Sequence, residues 1–316
     1  MSKLSVVLAI ILYLLLFFIR YQQGGWEPEI DILKNQRAYL DHRISQLLPS
    51  PQAELLSGIL LGQNKSLPVG LKLALRDTST LHIVVASGQN LSMVAGFFLS
   101  LAGLIKRRQA IGLSLLAVVA YTLLTGVQVP ILRAAVMFSL SSLAALFGRQ
   151  NESWRVLIVT AALMLLVNPK WILDLSFQLS FLATFGVVAV APVLLKFLYR
   201  IPILGQDFSV TLAAQLMVTP VITANFHQVS LVSLVTNALI LWTVPFAMIL
   251  GSVALFFSFV WAGAASVLLT YFVYIVQFFA SLPFAWEYVG EQVWVVWVGY
   301  YLLLGGILLA INRLTK

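Results

Sequence analysis

The sequence predicts an all-α polytopic membrane protein of about 9–11 transmembrane or re-entrant helices, with an N-terminal interfacial amphipathic segment. Three observations carry this prediction. The 19 basic and 11 acidic residues amount to 9% of the 316-residue chain, against about 25% in ordinary soluble domains. Hydrophobic residues make up 61%, and mean hydropathy is +0.98. From residue 81 to residue 311, apolar runs of membrane-crossing length follow one another across short linkers. A soluble globule of this size cannot bury so much apolar side chain. An ordinary soluble enzyme, a disordered chain and a coiled coil are thereby excluded.

The elements follow in order. Residues 4–19 form an apolar run between Lys3 and Arg20, with no small-x-small cleavage pattern after it, and read as an uncleaved first span. Tyr21 and Trp26 are expected at its interface, so residues 1–26 form an N-terminal anchor. Residues 27–80 are the most water-like stretch. Ile30, Leu33, Arg37, Leu40, Ile44 and Leu47 recur at helical spacing, which predicts a helix lying on the membrane, ended by Pro49 and Pro51. The apolar pieces 55–61 and 67–75 are too short to span and read as re-entrant or interfacial. Residues 81–316 form the polytopic body. Its candidate spans are 81–104, 110–125, 130–147, 155–167, 175–197, 208–224, 231–260 (broken near Pro245), 263–282 and 292–311.

Orientation follows from the basic residues. Lys106, Arg107 and Arg108 form the clearest cluster and are expected in the cytoplasm. Arg149 with Arg155, Lys196 with Arg200, and Arg313 with Lys316 then fall on the same side, provided that residues 231–260 cross once overall. The net charge of +8 is therefore a topology signal before it is a nucleic-acid signal. The chain has no cysteine, so disulfides, thiol nucleophiles and thiolate metal sites are excluded.

Polar groups inside apolar spans are costly, so their positions carry information. Five clusters stand out. His82 precedes Ser87-Gly88-Gln89-Asn90, a tetrad that breaks a helix; a packed glycine kink and a break lining a wet path both fit it. Thr125-Gly126 is followed by Gln128, Pro130 and Arg133. That arginine either snorkels to the membrane edge or presents a cation to an anionic substrate. Asp174, Gln178 and the stripe Ser176, Ser180, Thr184 share one helix, where Asp174 either caps the helix or pairs with Arg133. Thr211, Gln215, Thr219 and Thr223 recur every fourth residue around Pro220. Gln228 lies between His227 and a face containing Ser230, Ser233 and Asn237. Interhelical packing explains any one stripe; several together favour a shared wet interior.

Some chemistry is missing. The three histidines have no metal-ligand spacing, and no phosphate-binding Gly-x-x-x-x-Gly-Lys loop occurs. No metal, cofactor or catalytic group is assigned. An intramembrane hydrolase using His82 and Ser87 stays open as a further class, although five residues of straight helix put them on different sides.

The ordered motifs are Leu60-Leu61-Gly62, Thr80-Leu81-His82, Ser87-Gly88-Gln89-Asn90, Leu124-Thr125-Gly126, Leu132-Arg133-Ala134-Ala135 and Asn168-Pro169. They continue with Asp174, Phe177-Gln178-Leu179-Ser180-Phe181-Leu182-Ala183, Gln215, Pro220, Phe226, Gln228-Val229-Ser230 and Asn237. In this order, over about residues 47–250, the chain resembles the competence domain of the ComEC-type DNA-uptake family. The resemblance implies a channel passing single-stranded DNA across the bacterial cytoplasmic membrane during natural transformation, lined by these positions. Many such proteins add an OB-fold domain and a metallo-β-lactamase-like nuclease domain. Residues 22–46 are too few for an OB barrel, and no metal-ligand motif is present. A separate DNA receptor, a nuclease and a cytoplasmic helicase-like motor are the partners this implies, together with the lipid bilayer. A homo-oligomer stays open, as does a permease for a small polar or lipid-linked substrate built on the same kinked helices.

Overall fold

The computed structural model describes residues 3–24, 31–63, 66–85, 87–149, 152–198, 205–257 and 259–314. It is an all-α polytopic membrane protein. Helix α1 (Lys3–Gln22) lies along α9 (Ser153–Val167), with the Tyr13 hydroxyl donating to the Ala162 carbonyl over 3.3 Å. Helix α2 (Lys34–Leu47) turns Arg37 and Ile44 inward. Trp26, Ile30, Arg200 and Lys316 lie outside the described residues.

Two short helices, α3 (Gln52–Leu61) and α4 (Val69–Asp77), follow. At 10 residues α3 reaches about 15 Å, half of a bilayer core. Every residue of α3 from Leu55 to Leu61 is buried, by α2, α7 (Arg107–Thr125), α14 (Thr243–Phe256) and α15 (Phe259–Ala280). An apolar helix buried on all sides is stable here because protein, not lipid, surrounds it.

The expected span 81–104 is not one helix. It divides into α5 (Leu81–Val84), a break, α6 (Gly88–Ser100) and a 3-10 turn Leu101–Gly103. Val85 takes an extended backbone, and Ser87 starts the new helix as an N-cap, accepting from the Asn90 amide at 3.3 Å. His82 and Gln89 therefore share no continuous helical face.

Helices α7, α8 (Val129–Leu146) and α9 follow one another through short turns, α7 packing on α8 and α8 on α9. The 3-10 turn Pro169–Leu173 leads into α10 (Leu175–Phe185), which passes through a π-turn, Gly186–Val190, into α11 (Ala191–Leu198). A Cβ on Gly186 would stand 2.5 Å from the Ala213 carbonyl of α12 (Gly205–Phe226), so glycine sets that crossing.

Pro220 sits inside α12 without ending it. Proline lacks the N–H that would bond the Leu216 carbonyl. Here the Tyr300 hydroxyl of α16 (Trp294–Leu314) donates to that carbonyl at 3.0 Å, and Tyr301 donates to Met217 O at 2.9 Å. A neighbouring helix thus supplies the bond the proline removes, the condition for proline inside a membrane helix.

The expected break in 231–260 occurs at Leu241–Trp242, where α13 (Ser233–Ile240) meets α14 at a 41° bend. Pro245 falls in the first turn of α14, where no intrahelical donor is needed. Ser230 is not on that helix. It belongs to a three-residue strand, β1 (Gln228–Ser230), paired antiparallel with β2 (Trp286–Tyr288), with Gln228 opposite Tyr288. This pairing holds the end of α12 beside the end of α15.

Among the described residues five helices are long and apolar enough to cross a membrane, six if the bent pair counts as one span. Shorter apolar stretches run along α1, α9 and α16. The largest core cluster joins α3, α4, α6, α7, α8 and the α13–α15 group through residues such as Leu56, Ile59, Leu91, Val118, Ile131 and Phe272. A second, smaller one joins α11, α12 and α16 around Met217 and Leu304.

Candidate functional site

The polar motifs meet at the C-terminal end of α3. That helix stops at Gly62, whose φ of +71° is the left-handed cap that glycine adopts without strain. The last carbonyls of a helix have no partner of their own. Here other helices supply them. Asn90 Nδ2 donates to the Ile59 carbonyl over 3.0 Å, and the Tyr121 hydroxyl reaches the same oxygen at 3.4 Å. Gln128 Nε2 donates to the Gly62 carbonyl at 3.4 Å. Asn90 is 1% exposed, so its amide is committed to this bond.

Around this point α7 ends and α8 begins. Thr125 donates back to the Tyr121 carbonyl at 2.9 Å, and Gly126 takes φ +86° to close the turn. The guanidinium of Arg37, paired with Asp31, lies over Gly126 where a side chain would otherwise stand. Glycine is therefore required twice at this position, by backbone sign and by space.

Four residues into α8, Arg133 points into the protein. Its Nη1 donates to the Thr184 hydroxyl of α10, and Thr184 in turn donates to the Ser180 carbonyl at 2.9 Å. On the other side, a Cβ on Gly88 would stand 2.7 Å from Arg133 Nη2 and 3.0 Å from Ala134 Cβ. Arg133 is thus held between the start of α6 and the last turn of α10, turned into the protein and not outward to an edge. It has no carboxylate partner among the described residues. Asp174 is the N-cap of α10, accepting from the Phe177 amide at 2.8 Å.

Ser87, Gly88, Asn90 and Arg133 are therefore brought together at the start of α6, and Thr125 and Gly126 close the turn from which Gln128 reaches the end of α3; Ser180 enters only through its backbone carbonyl, which accepts from Thr184. The other predicted positions lie apart. His82 is on the outer surface of the bundle, its Nδ1 2.9 Å from the Ser79 carbonyl, and Gln89 is exposed. Gln178 donates to Ile172 O at 2.9 Å and borders an open apolar groove with Phe177 and Phe181, whose ring centroids are 4.3 Å apart. Gln215 lies on α12, its Oε1 buried without a partner among the described residues. Gln228 is in β1. Asn237 and Ser233, one turn apart on α13, are both buried, with Oδ1 and Oγ unpartnered among the described residues.

Sequence reading did not assign Ile59, Tyr121 or Arg37 to the site. Ile59 acts through its backbone, which no residue pattern reports. Tyr121 had a signal: a hydroxyl one helical turn before Thr125 in an apolar helix needs a partner. Among the described residues no group of three His, Asp or Glu side chains could hold a metal ion.

The fold defines a polytopic α-helical membrane protein, and several of its polar side chains gather at the buried end of α3. The sequence profile of the competence protein family matches residues 59–314, and the chain belongs to that family. It is similar to ComE operon protein 3 of Bacillus subtilis (strain 168), 28% identical over 212 residues, covering 66% of this chain and 27% of the relative. It is similar also to the uncharacterized protein YcaI of Escherichia coli (strain K12), 31% identical over 233 residues, covering 66% of this chain and 29% of the relative. The matched region is thus less than a third of either relative. No solved structure matches.

Proposed function

We propose that this chain is a membrane channel that passes single-stranded DNA across the cytoplasmic membrane of a bacterium during natural transformation. The observation that carries this reading is the convergence, on the C-terminal end of α3, of polar groups from α6, α7 and the start of α8, with a buried arginine of α8 reaching α10 nearby. Packing glue would tie helices together pairwise; these groups serve one place, beside irregular backbone at Val85, at Ser87 and at 126–128. The family membership supplies the connection to competence.

The chemistry suits a conduit. A phosphate at each nucleotide cannot enter hydrocarbon and needs a polar path. A path of hydroxyls, amides and one cation holds phosphates weakly enough to release them, whereas a densely basic one would retain them. On this reading residues 1–26 anchor the chain, 27–80 form the outer and re-entrant part, and 81–316 form the channel body. The protein does no bond-breaking chemistry. A DNA receptor, a nuclease and a helicase-like motor act with it.

The bent pair α13–α14, with Asn237 buried beside the break, favours one alternative, a permease for a small polar or lipid-linked substrate. Gene deletion in a transformable host separates the two. The channel reading expects loss of DNA entry into the cytoplasm with surface DNA binding intact, restored by the wild-type gene. Normal transformation in the deletion strain overturns it.

A further inference from the structure

We propose that Arg133 and the first turn of α6 form a binding subsite for a backbone phosphodiester of single-stranded DNA, an inference that rests on the channel reading above. The argument begins with a conflict of charge. The N-terminal end of a helix carries about half a positive charge, and anions are stabilised there while cations are not. Yet the protein places a guanidinium against this end of α6. Gly88 has no side chain, and a Cβ there would stand 2.7 Å from Arg133 Nη2, so the approach is as close as a residue allows.

Nothing in the surroundings offsets this. No carboxylate pairs with Arg133 among the described residues. Asp174, the acid best placed in sequence to do so, spends its carboxylate on the Phe177 amide. The neutral contacts of Arg133 run through Nη1, to Thr184 and to the Met137 sulfur at 3.8 Å. Its Nε is buried without a partner among the described residues. On the helix side, the Ser87 hydroxyl and carbonyl take the Asn90 and Leu91 amides. The Gly88 and Gln89 amides have no acceptor among the described residues. A buried cation with an unused donor and a helix end with unused amides are thus neighbours with no acid between them among the described residues, a combination that is costly empty and favourable around a monoanion. Arginine suits a phosphodiester because its planar fork matches two phosphate oxygens.

The location favours a strand over a lipid headgroup. The subsite lies between α6, α8 and α10, beside buried Ala134 and against Thr184, which stands in the last turn of α10 and near the middle of the continuous span Leu175–Lys196. One phosphodiester on a thread passes such a place in turn; a headgroup tied to two acyl chains does not.

The test uses the full chain in phosphatidylcholine nanodiscs, with a labelled oligothymidylate and, separately, inorganic phosphate as probes, and salt titration of the strand. Arg133→Gln is expected to weaken strand binding by about tenfold to a hundredfold. It should also lower the salt slope by about 0.7, the value of one phosphate contact on a single strand. Gly88→Ala keeps the arginine but displaces it, and should lose affinity in parallel. Gly96→Ala, on the same helix with open space around it, serves as the folding control and should bind as wild type. Arg133→Lys should restore part of the affinity. Equal affinity and slope in wild type, Arg133→Gln and Gly88→Ala overturn the subsite and leave the channel reading standing. Phosphate binding that needs Arg133, with no strand binding at all, supports an anion site and counts against the channel. Loss of strand binding when phosphatidylglycerol replaces phosphatidylcholine, in wild type but not Arg133→Gln, assigns the site to lipid and overturns the proposal.

Discussion

Tyr300→Phe removes one oxygen, and its cost is set by what Pro220 took away. With the hydroxyl gone, the Leu216 carbonyl keeps neither the Tyr300 donor nor a helical N–H, because residue 220 is proline. An unpaired carbonyl in a packed interior costs about 1–3 kcal/mol. Side-chain hydrogen bonds inside membranes average about 0.6 kcal/mol, with a maximum of about 1.7. The orphaned carbonyl places Tyr300→Phe at the upper end of that range, about 1.5 kcal/mol. Tyr301→Phe is the matched control. Its acceptor, Met217 O, has the amide of Val221 in helical register, so its loss should cost about 0.6 kcal/mol or less. Pro220→Ala restores the N–H, so Tyr300→Phe made in that background should fall to the cost of Tyr301→Phe. The coupling between the two positions is therefore about 1 kcal/mol, well beyond the roughly 0.3–0.5 kcal/mol within which independent changes add. Reversible unfolding by sodium dodecyl sulfate in bicelles measures all four variants. Equal costs for the two tyrosines, or a Tyr300→Phe cost unchanged by Pro220→Ala, would refute the argument.

Three further outcomes are expected. Asp174→Asn should keep stability within about 0.5 kcal/mol while Asp174→Ala loses about 1 kcal/mol in the same assay, because the carboxylate caps α10 and is not an ion-pair partner of Arg133; equal losses would contradict the cap. Gly58→Ala should destabilise by about 1–3 kcal/mol, since its Cβ would stand 2.6 Å from the Val84 carbonyl of the backbone, while Gly96→Ala, which meets nothing within 4 Å, should be neutral or slightly stabilising. The cysteine-free chain allows topology to be read directly. Single cysteines at Asn225 and Ser281 should react with a membrane-impermeant thiol reagent from one side, and cysteines at Arg107 and Arg149 from the other; labelling of Asn225 and Ser281 from opposite sides would contradict the β1–β2 pairing.

Which parts of this were legible in the sequence depends on the physics involved. The fold class was, because a bilayer acts on long stretches at once: twenty apolar residues are needed to cross it, and scarcity of charge registers over the whole chain. The break at Ser87-Gly88 was also legible, since a cap residue followed by glycine interrupts a helix locally. The behaviour of Pro220 was not. Proline inside an apolar run reads as a kink, and what keeps α12 continuous is a tyrosine 80 positions later in the chain. Ser230 was misplaced for a related reason, since a three-residue strand has no pattern of its own and exists because β2 pairs with it.

By itself the sequence determined that this protein lives in a bilayer, roughly where it crosses, and which few polar residues it carries into the apolar region. Composition and periodicity are properties of the chain, and the membrane acts on them directly. Only the tertiary structure decided what those polar residues do. Asp174 and Arg133 were equally free to pair; the fold gave the acid to its own helix end and left the arginine against another. Asn90 was equally suited to a wet path or a packed kink; the fold committed it to the carbonyl of Ile59. A hydrogen bond is a relation between two places in space. Until α3 is buried beside α6 and α7, its end presents no carbonyl for Asn90 and Tyr121 to find.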